Sequence, residues 1–137
     1  MRKIVAGNWK MNGTSKNLSE IKKISDEFAN SKAEIIVCPP HTLLSAAKEL
    51  AKNIYIGAQN LHSESSGAFT GEISAEMLFD LGVTHSIIGH SERRTEQNET
   101  NQIVARKVKT SLEQNLQTII CIGESELQKE ENKTLTV

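Results

Sequence analysis

Five short runs, most of them continuous in β-branched residues and without alternation, constrain this chain more than any other feature. They fall at residues 3–7, 34–38, 53–57, 84–89 and 118–123. A strand with one wet face alternates apolar and polar residues. Continuous runs mark strands buried on both faces, as in a parallel sheet. Amphipathic stretches fill the gaps. Leu18, Ile21, Ile24 and Phe28 make one helical stripe, and Ile103, Val104, Val108 and Leu112 another that begins near Glu99. Thr42 is placed to cap a helix lined by Leu43, Ala46, Ala47 and Leu50, and Ser74 to cap a short one ended by Gly82. The polar stretch from Leu127 opens as a helix would. Strand and helix alternate with little left over, which implies right-handed βαβ crossovers in an α/β fold.

Two architectures fit five such units: an open doubly wound sheet, or part of a (β/α)8 barrel. Spacing does not decide between them. A complete eight-unit barrel takes about 250 residues, so 137 residues supply only part of one. The expectation is one incomplete domain over residues 1–137, without strands six to eight.

Composition narrows the function. Sixteen Lys and Arg nearly balance seventeen Asp and Glu. That argues against general binding to nucleic acid or to anionic membranes, both of which need a basic excess. No apolar run reaches the roughly 20 residues that span a bilayer, and the N-terminal apolar stretch is too short for a signal peptide. Cys38 and Cys121 lie far apart in apolar runs and read as buried reduced thiols of a cytoplasmic protein. No CxxC or Cys/His cluster points to a metal.

In both architectures ligands bind beyond the carboxyl ends of the strands. The polar residues there are Asn8, Trp9, Lys10 and Asn12 after the first run, and Gln59 and Asn60 after the third. The fourth run is followed by His90, Ser91, Glu92, Arg93 and Arg94, and the fifth by Glu124. Lys10 offers a point charge for a phosphate or a developing oxyanion. His90 opens a helix with Ser91 and Glu92 in its first turn, where the potential of unpaired N–H groups favours a neutral ring. Ser91 reads as the N-cap, and Glu92 as a partner that orients Lys10. Arg93 and Arg94 cannot face the same way on a helix, so one is structural. Glu124 reads as a cap for the following helix. The loop at 61–71 is long for a βα connection and carries Phe69 among small residues. It is either self-packed or inserts into a partner.

Five segments together resemble the triosephosphate isomerase family. They are Asn8-Trp9-Lys10-Met11-Asn12, Gly57-Ala58-Gln59-Asn60, Gly67-Ala68-Phe69-Thr70-Gly71-Glu72-Ile73-Ser74, Ile87-Ile88-Gly89-His90-Ser91-Glu92-Arg93-Arg94 and Cys121-Ile122-Gly123-Glu124. They occur in family order along the whole chain. The resemblance implies a TIM barrel that interconverts dihydroxyacetone phosphate and D-glyceraldehyde 3-phosphate by proton transfer, in glycolysis and gluconeogenesis, without a metal or organic cofactor. It implies that Asn8 and Lys10 bind substrate, that His90 polarises the carbonyl, and that Ser91 and Glu92 support the site. Phe69, Thr70 and Glu72 would lie on the loop that enters the partner of a homodimer, Glu72 facing the neighbour's Arg93. The family's glutamate base and phosphate-binding glycines belong to strands six to eight, so this chain is expected to be inactive alone. The alternative is a non-catalytic remnant that retains only the capacity to associate.

Overall fold

The computed structural model describes residues 3–124 and 126–131. Five strands, β1 (Ile4–Asn8), β2 (Glu34–Cys38), β3 (Tyr55–Ala58), β4 (His85–Ile88) and β5 (Gln117–Ile120), alternate with helices. These are α1 (Leu18–Glu27), α2 (Leu44–Leu50), α3 (Ala75–Asp80), α4 (Ser91–Glu96), α5 (Asn101–Glu113) and α6 (Glu126–Glu130). Every neighbouring pair of strands is parallel, and the order across the sheet is β1-β2-β3-β4-β5. That order settles the question left open by the sequence. A doubly wound sheet reverses direction at a switch point. A sheet that adds each strand beside the last, always on the same side, has none and curls toward a barrel.

The two faces of the sheet carry separate cores. Val37, Ile56 and Ala58 pack outward against Ile21 of α1, Leu44 and Ala47 of α2 and Leu78 of α3. Ile36, Cys38 and Ile87 pack on the concave face, with Ile119 and Cys121 beside them. The registers Ala6↔Ile36 and Ile87↔Ile119 place these inward residues opposite one another. Burial pushes the Cys38 thiol up to about 12, so it is inert at neutral pH. Cys121 is only half-buried, contrary to the reading of two buried thiols. No helix among the described residues is long and apolar enough to cross a membrane.

Several boundaries differ from those expected. β3 starts at Tyr55 rather than at residue 53, because Asn53 is engaged elsewhere. Its N–H and that of Lys52 both donate to Ser25 Oγ, and its Nδ2 donates to the Ser25 carbonyl. β5 ends at Ile120 rather than at 123. The Cys121 N–H still reaches the Ile88 carbonyl at 2.9 Å, but Ile122 is exposed and Gly123 turns away at φ 153°. Thr42 caps nothing: Pro40 opens a 3-10 turn, His41–Leu43, from which α2 continues. α5 starts at Asn101, where Thr100 Oγ1 accepts the Ile103 N–H at 3.3 Å. Its buried stripe is Val104, Lys107 and Ser111, and Leu112 is exposed. Ser74 does cap α3, accepting the Met77 N–H at 3.2 Å, and Gly82 follows at φ 71°. Of the polar C-terminal stretch, α6 falls within the described residues and 132–137 lie outside them.

Candidate functional site

The carboxyl ends of β1, β3 and β4 open into one cavity of about 250 Å³. Asn8, Lys10, Gln59, Asn60, His90, Glu92 and Arg93 line it, together with His41 from the turn before α2. The sequence reading therefore finds most of this rim.

Lys10 is fixed by its backbone before its side chain is considered. It sits at φ 54°, in the left-handed region that non-glycine residues seldom enter. Two hydrogen bonds hold it there. Its N–H donates to Asn8 Oδ1 at 2.9 Å, and its carbonyl accepts Gln59 Nε2 at 2.9 Å. Gln59 Nε2 also donates to the Cys38 carbonyl at 2.8 Å, so the turn after β1 is tied to the end of β2. With Oδ1 occupied, the Asn8 amide nitrogen is the end left to donate. The Lys10 ammonium donates to Glu92 Oε1 at 2.6 Å. This is the pairing expected of Glu92. Both side chains are about half exposed, so the pair orients Lys10 more than it stabilises the fold. The hydrogen bond from Lys10 holds the Glu92 carboxyl below its usual value.

His90 is itself the N-cap of α4, and Ser91 is the first helical residue. The cap assignment from sequence is therefore one residue off. His90 Nδ1 accepts the Glu92 N–H at 3.3 Å. A nitrogen that accepts carries no proton, so the neutral ring has its hydrogen on Nε2. The Glu92 Oε2 lies 3.4 Å from the same Nδ1, slightly farther than the Glu92 nitrogen. Ser91 does not line the cavity. It faces a second groove between α4, α5 and the end of β5, where Glu124 also lies.

Two arginines divide their work. Arg93 Nε donates to Glu99 at 2.6 Å, and Arg94 reaches the ends of β4 and β5. Both side chains are engaged within the fold, where the sequence required this of only one. Glu99 is buried, and its Oε1 also accepts Lys107 Nζ at 2.6 Å. Lys107, likewise buried, donates on to Asn60 Oδ1 at 2.7 Å. Glu99 Oε2 has no partner among the described residues. Sequence reasoning missed this network behind the rim. The available signal was a lysine within the apolar stripe of α5, flanked by Val104 and Val108.

The long loop after β3 packs on itself and still exposes its tip. Phe69 stacks on His62 with ring centroids 4.2 Å apart, and the Glu72 N–H closes onto the Phe69 carbonyl at 3.0 Å. Phe69, Thr70 and Glu72 remain exposed.

A protein-family model described as triosephosphate isomerase matches residues 3–137. The triosephosphate isomerase of Alkaliphilus oremlandii is 50% identical over 141 residues, covering 100% of this chain and 57% of that protein. That of Clostridium botulinum strain Loch Maree is 51% identical over 134 residues, covering 96% and 54%. The crystal structure of triosephosphate isomerase from Bartonella henselae superposes with a TM-score of 0.96 at 43% identity, covering 100% of this chain and 58% of that one. The chain thus spans just over half the length of the relatives it matches.

Proposed function

Since this chain belongs to the triosephosphate isomerase family, we propose that its rim supplies the electrophilic half of an isomerase site for dihydroxyacetone phosphate and D-glyceraldehyde 3-phosphate. The observation that carries this is the convergence of Lys10, held by Glu92 at 2.6 Å, with a His90 ring whose Nδ1 is already engaged. The reaction moves a proton between adjacent carbons. A carboxylate base removes it from the carbon beside the carbonyl and charge passes to the carbonyl oxygen; the hydroxyl proton passes from the one oxygen to the other, and the former carbonyl carbon takes the proton back from the base. The charge develops on oxygen, so catalysis comes from donors placed there in advance. His90 Nε2–H is one such donor, and the Lys10 ammonium supplies a fixed positive charge. The Asn8 amide adds a further hydrogen bond to substrate, and Glu92 keeps Lys10 in place.

By family resemblance, the base and the backbone groups that grip phosphate belong to strands six to eight. Residues 1–137 then form one incomplete domain, active only once the barrel is complete. The exposed Phe69–Thr70 tip fits the rim of a second copy, giving a homodimer. Completing this chain with the C-terminal part of the Alkaliphilus oremlandii relative tests the reading. Isomerase turnover that drops by two or more orders of magnitude in Lys10→Met supports it. A folded, complete barrel without turnover would refute it, and sedimentation of the same protein as a monomer would refute the dimer.

A further inference from the structure

Arg94 lies outside the cavity, yet it touches the backbone on both sides of His90. Its own N–H donates to the His90 carbonyl at 3.0 Å, beginning α4. Its side chain turns back, and Nε donates to the Gly89 carbonyl at 2.8 Å. That carbonyl belongs to the peptide joining Gly89 to His90, so fixing it fixes the plane from which the His90 side chain departs. The other two arms of the guanidinium anchor this grip to separate elements. Nη1 donates to Asn101 Oδ1 at 2.8 Å, at the start of α5, and Nη2 donates to the Cys121 carbonyl at 3.2 Å, just past β5.

Gly89 is shaped to admit this contact. It lies at φ 71°, and a Cβ there would stand 3.0 Å from Arg94 Nη2 and 2.8 Å from Val104 Cγ2. Only a glycine allows the backbone to turn this way with the guanidinium against it. The His90 ring is thus held at Nδ1 by the Glu92 N–H, and the peptide it departs from is held by Arg94.

We propose that Arg94 is a positioning residue for the isomerisation: its three-way clamp on Gly89, Cys121 and Asn101 sets where the His90 ring points into the cavity. The inference rests on the reading of His90 as the group that polarises the substrate carbonyl. Lysine can replace arginine here only in part, because one ammonium does not span three acceptors on three elements. Small errors in placing a catalytic donor cost up to about 10²-fold in rate.

The test uses the barrel completed as above, with Arg94→Met, Arg94→Lys and the milder Asn101→Ala. Arg94→Met is expected to lower kcat 10–100-fold with KM for dihydroxyacetone phosphate changed less than threefold, as approximate bounds. Arg94→Lys should recover part of the loss and Asn101→Ala should lose least. The ¹⁵N-labelled ring of His90 should shift or broaden in the order of these losses, while those of His41 and His62 stay in place. A wild-type kcat in a folded Arg94→Met, or ring signals of His90 unmoved in all three variants, would overturn the proposal. Should Arg94→Met fail to fold, Arg94→Lys and Asn101→Ala carry the same comparison. A complete wild-type barrel without turnover would instead sink the isomerase reading, and the His90 ring signals would still report whether Arg94 places the ring.

Discussion

His90 shows how much one residue's chemistry depends on the backbone around it. By itself the residue is a histidine after a glycine. In the fold it caps α4 through its own ring, with Nδ1 accepting the Glu92 N–H at 3.3 Å. On the proposed reading, that cap leaves Nε2–H to donate to substrate. Removing it should lower kcat by about 10²–10³ in the completed enzyme, the size typical of losing one oxyanion donor. Because the bond strengthens only as charge develops, KM should change much less. Steady-state kinetics of His90→Ala measure both, and an unchanged kcat would reduce His90 to a structural cap. The sequence made Lys10, His90 and Glu92 legible, because strand ends are where an α/β fold puts its chemistry. It hid the cap, because a ring nitrogen that does the work of a hydroxyl has no composition signature. It hid the clamp of Arg94 as well, since the acceptors are backbone carbonyls, which every residue has.

Among the elements, α5 does more than cover the sheet. It carries Lys107 on its buried face into contact with Glu99 at 2.6 Å, so α4, α5 and the end of β3 share one charged junction. Burial alone would raise the Glu99 carboxyl, but the hydrogen bonds from Lys107 and Arg93 outweigh it and hold the group below the ordinary range. Burial likewise pulls the Lys107 ammonium down, and Glu99 offsets this only in part. The sign for Glu99 follows from linkage. Its folded value lies below the ordinary 4.5. Its contribution is therefore complete above that pH and is lost as pH falls through the folded value. In the completed barrel, Lys107→Met should cost about 1–3 kcal/mol at pH 7, because it leaves the buried Glu99 carboxylate to Arg93 alone and Asn60 Oδ1 without its donor. Urea midpoints of Glu99→Gln should fall below wild type at pH 7, and the gap should narrow as the pH is lowered below 4.5. A gap that does not change with pH would show that the junction acts through packing alone. Element order and type were readable because periodicity reports burial directly. Boundaries were less so. Asn53 left β3 for contacts with a serine 28 residues earlier, and no local pattern announces such a partner.

At the scale of the whole sheet, β1 and β5 are its two edges among the described residues, and apolar side chains are exposed on both of its faces. Ile4 and Val5 of β1 are 51% and 57% exposed, and Ile120 of β5 is 45% exposed. Unpaired edges with apolar faces invite association. A polypeptide of residues 1–137 alone should therefore bind a hydrophobic dye, unfold with little cooperativity and show no isomerase turnover. A sharp two-state transition with no dye binding would contradict this. The sheet order has a further consequence, in time. Each strand pairs with the one just before it in the chain, so on the ribosome every new strand meets a template already made. The pair between Lys10 and Glu92 spans 82 positions and must wait until four strands have emerged. Trp9, the single tryptophan, stands next to Lys10 with its ring against Gly13. Its emission can follow when that turn takes shape during synthesis, as a clock set inside the chain itself.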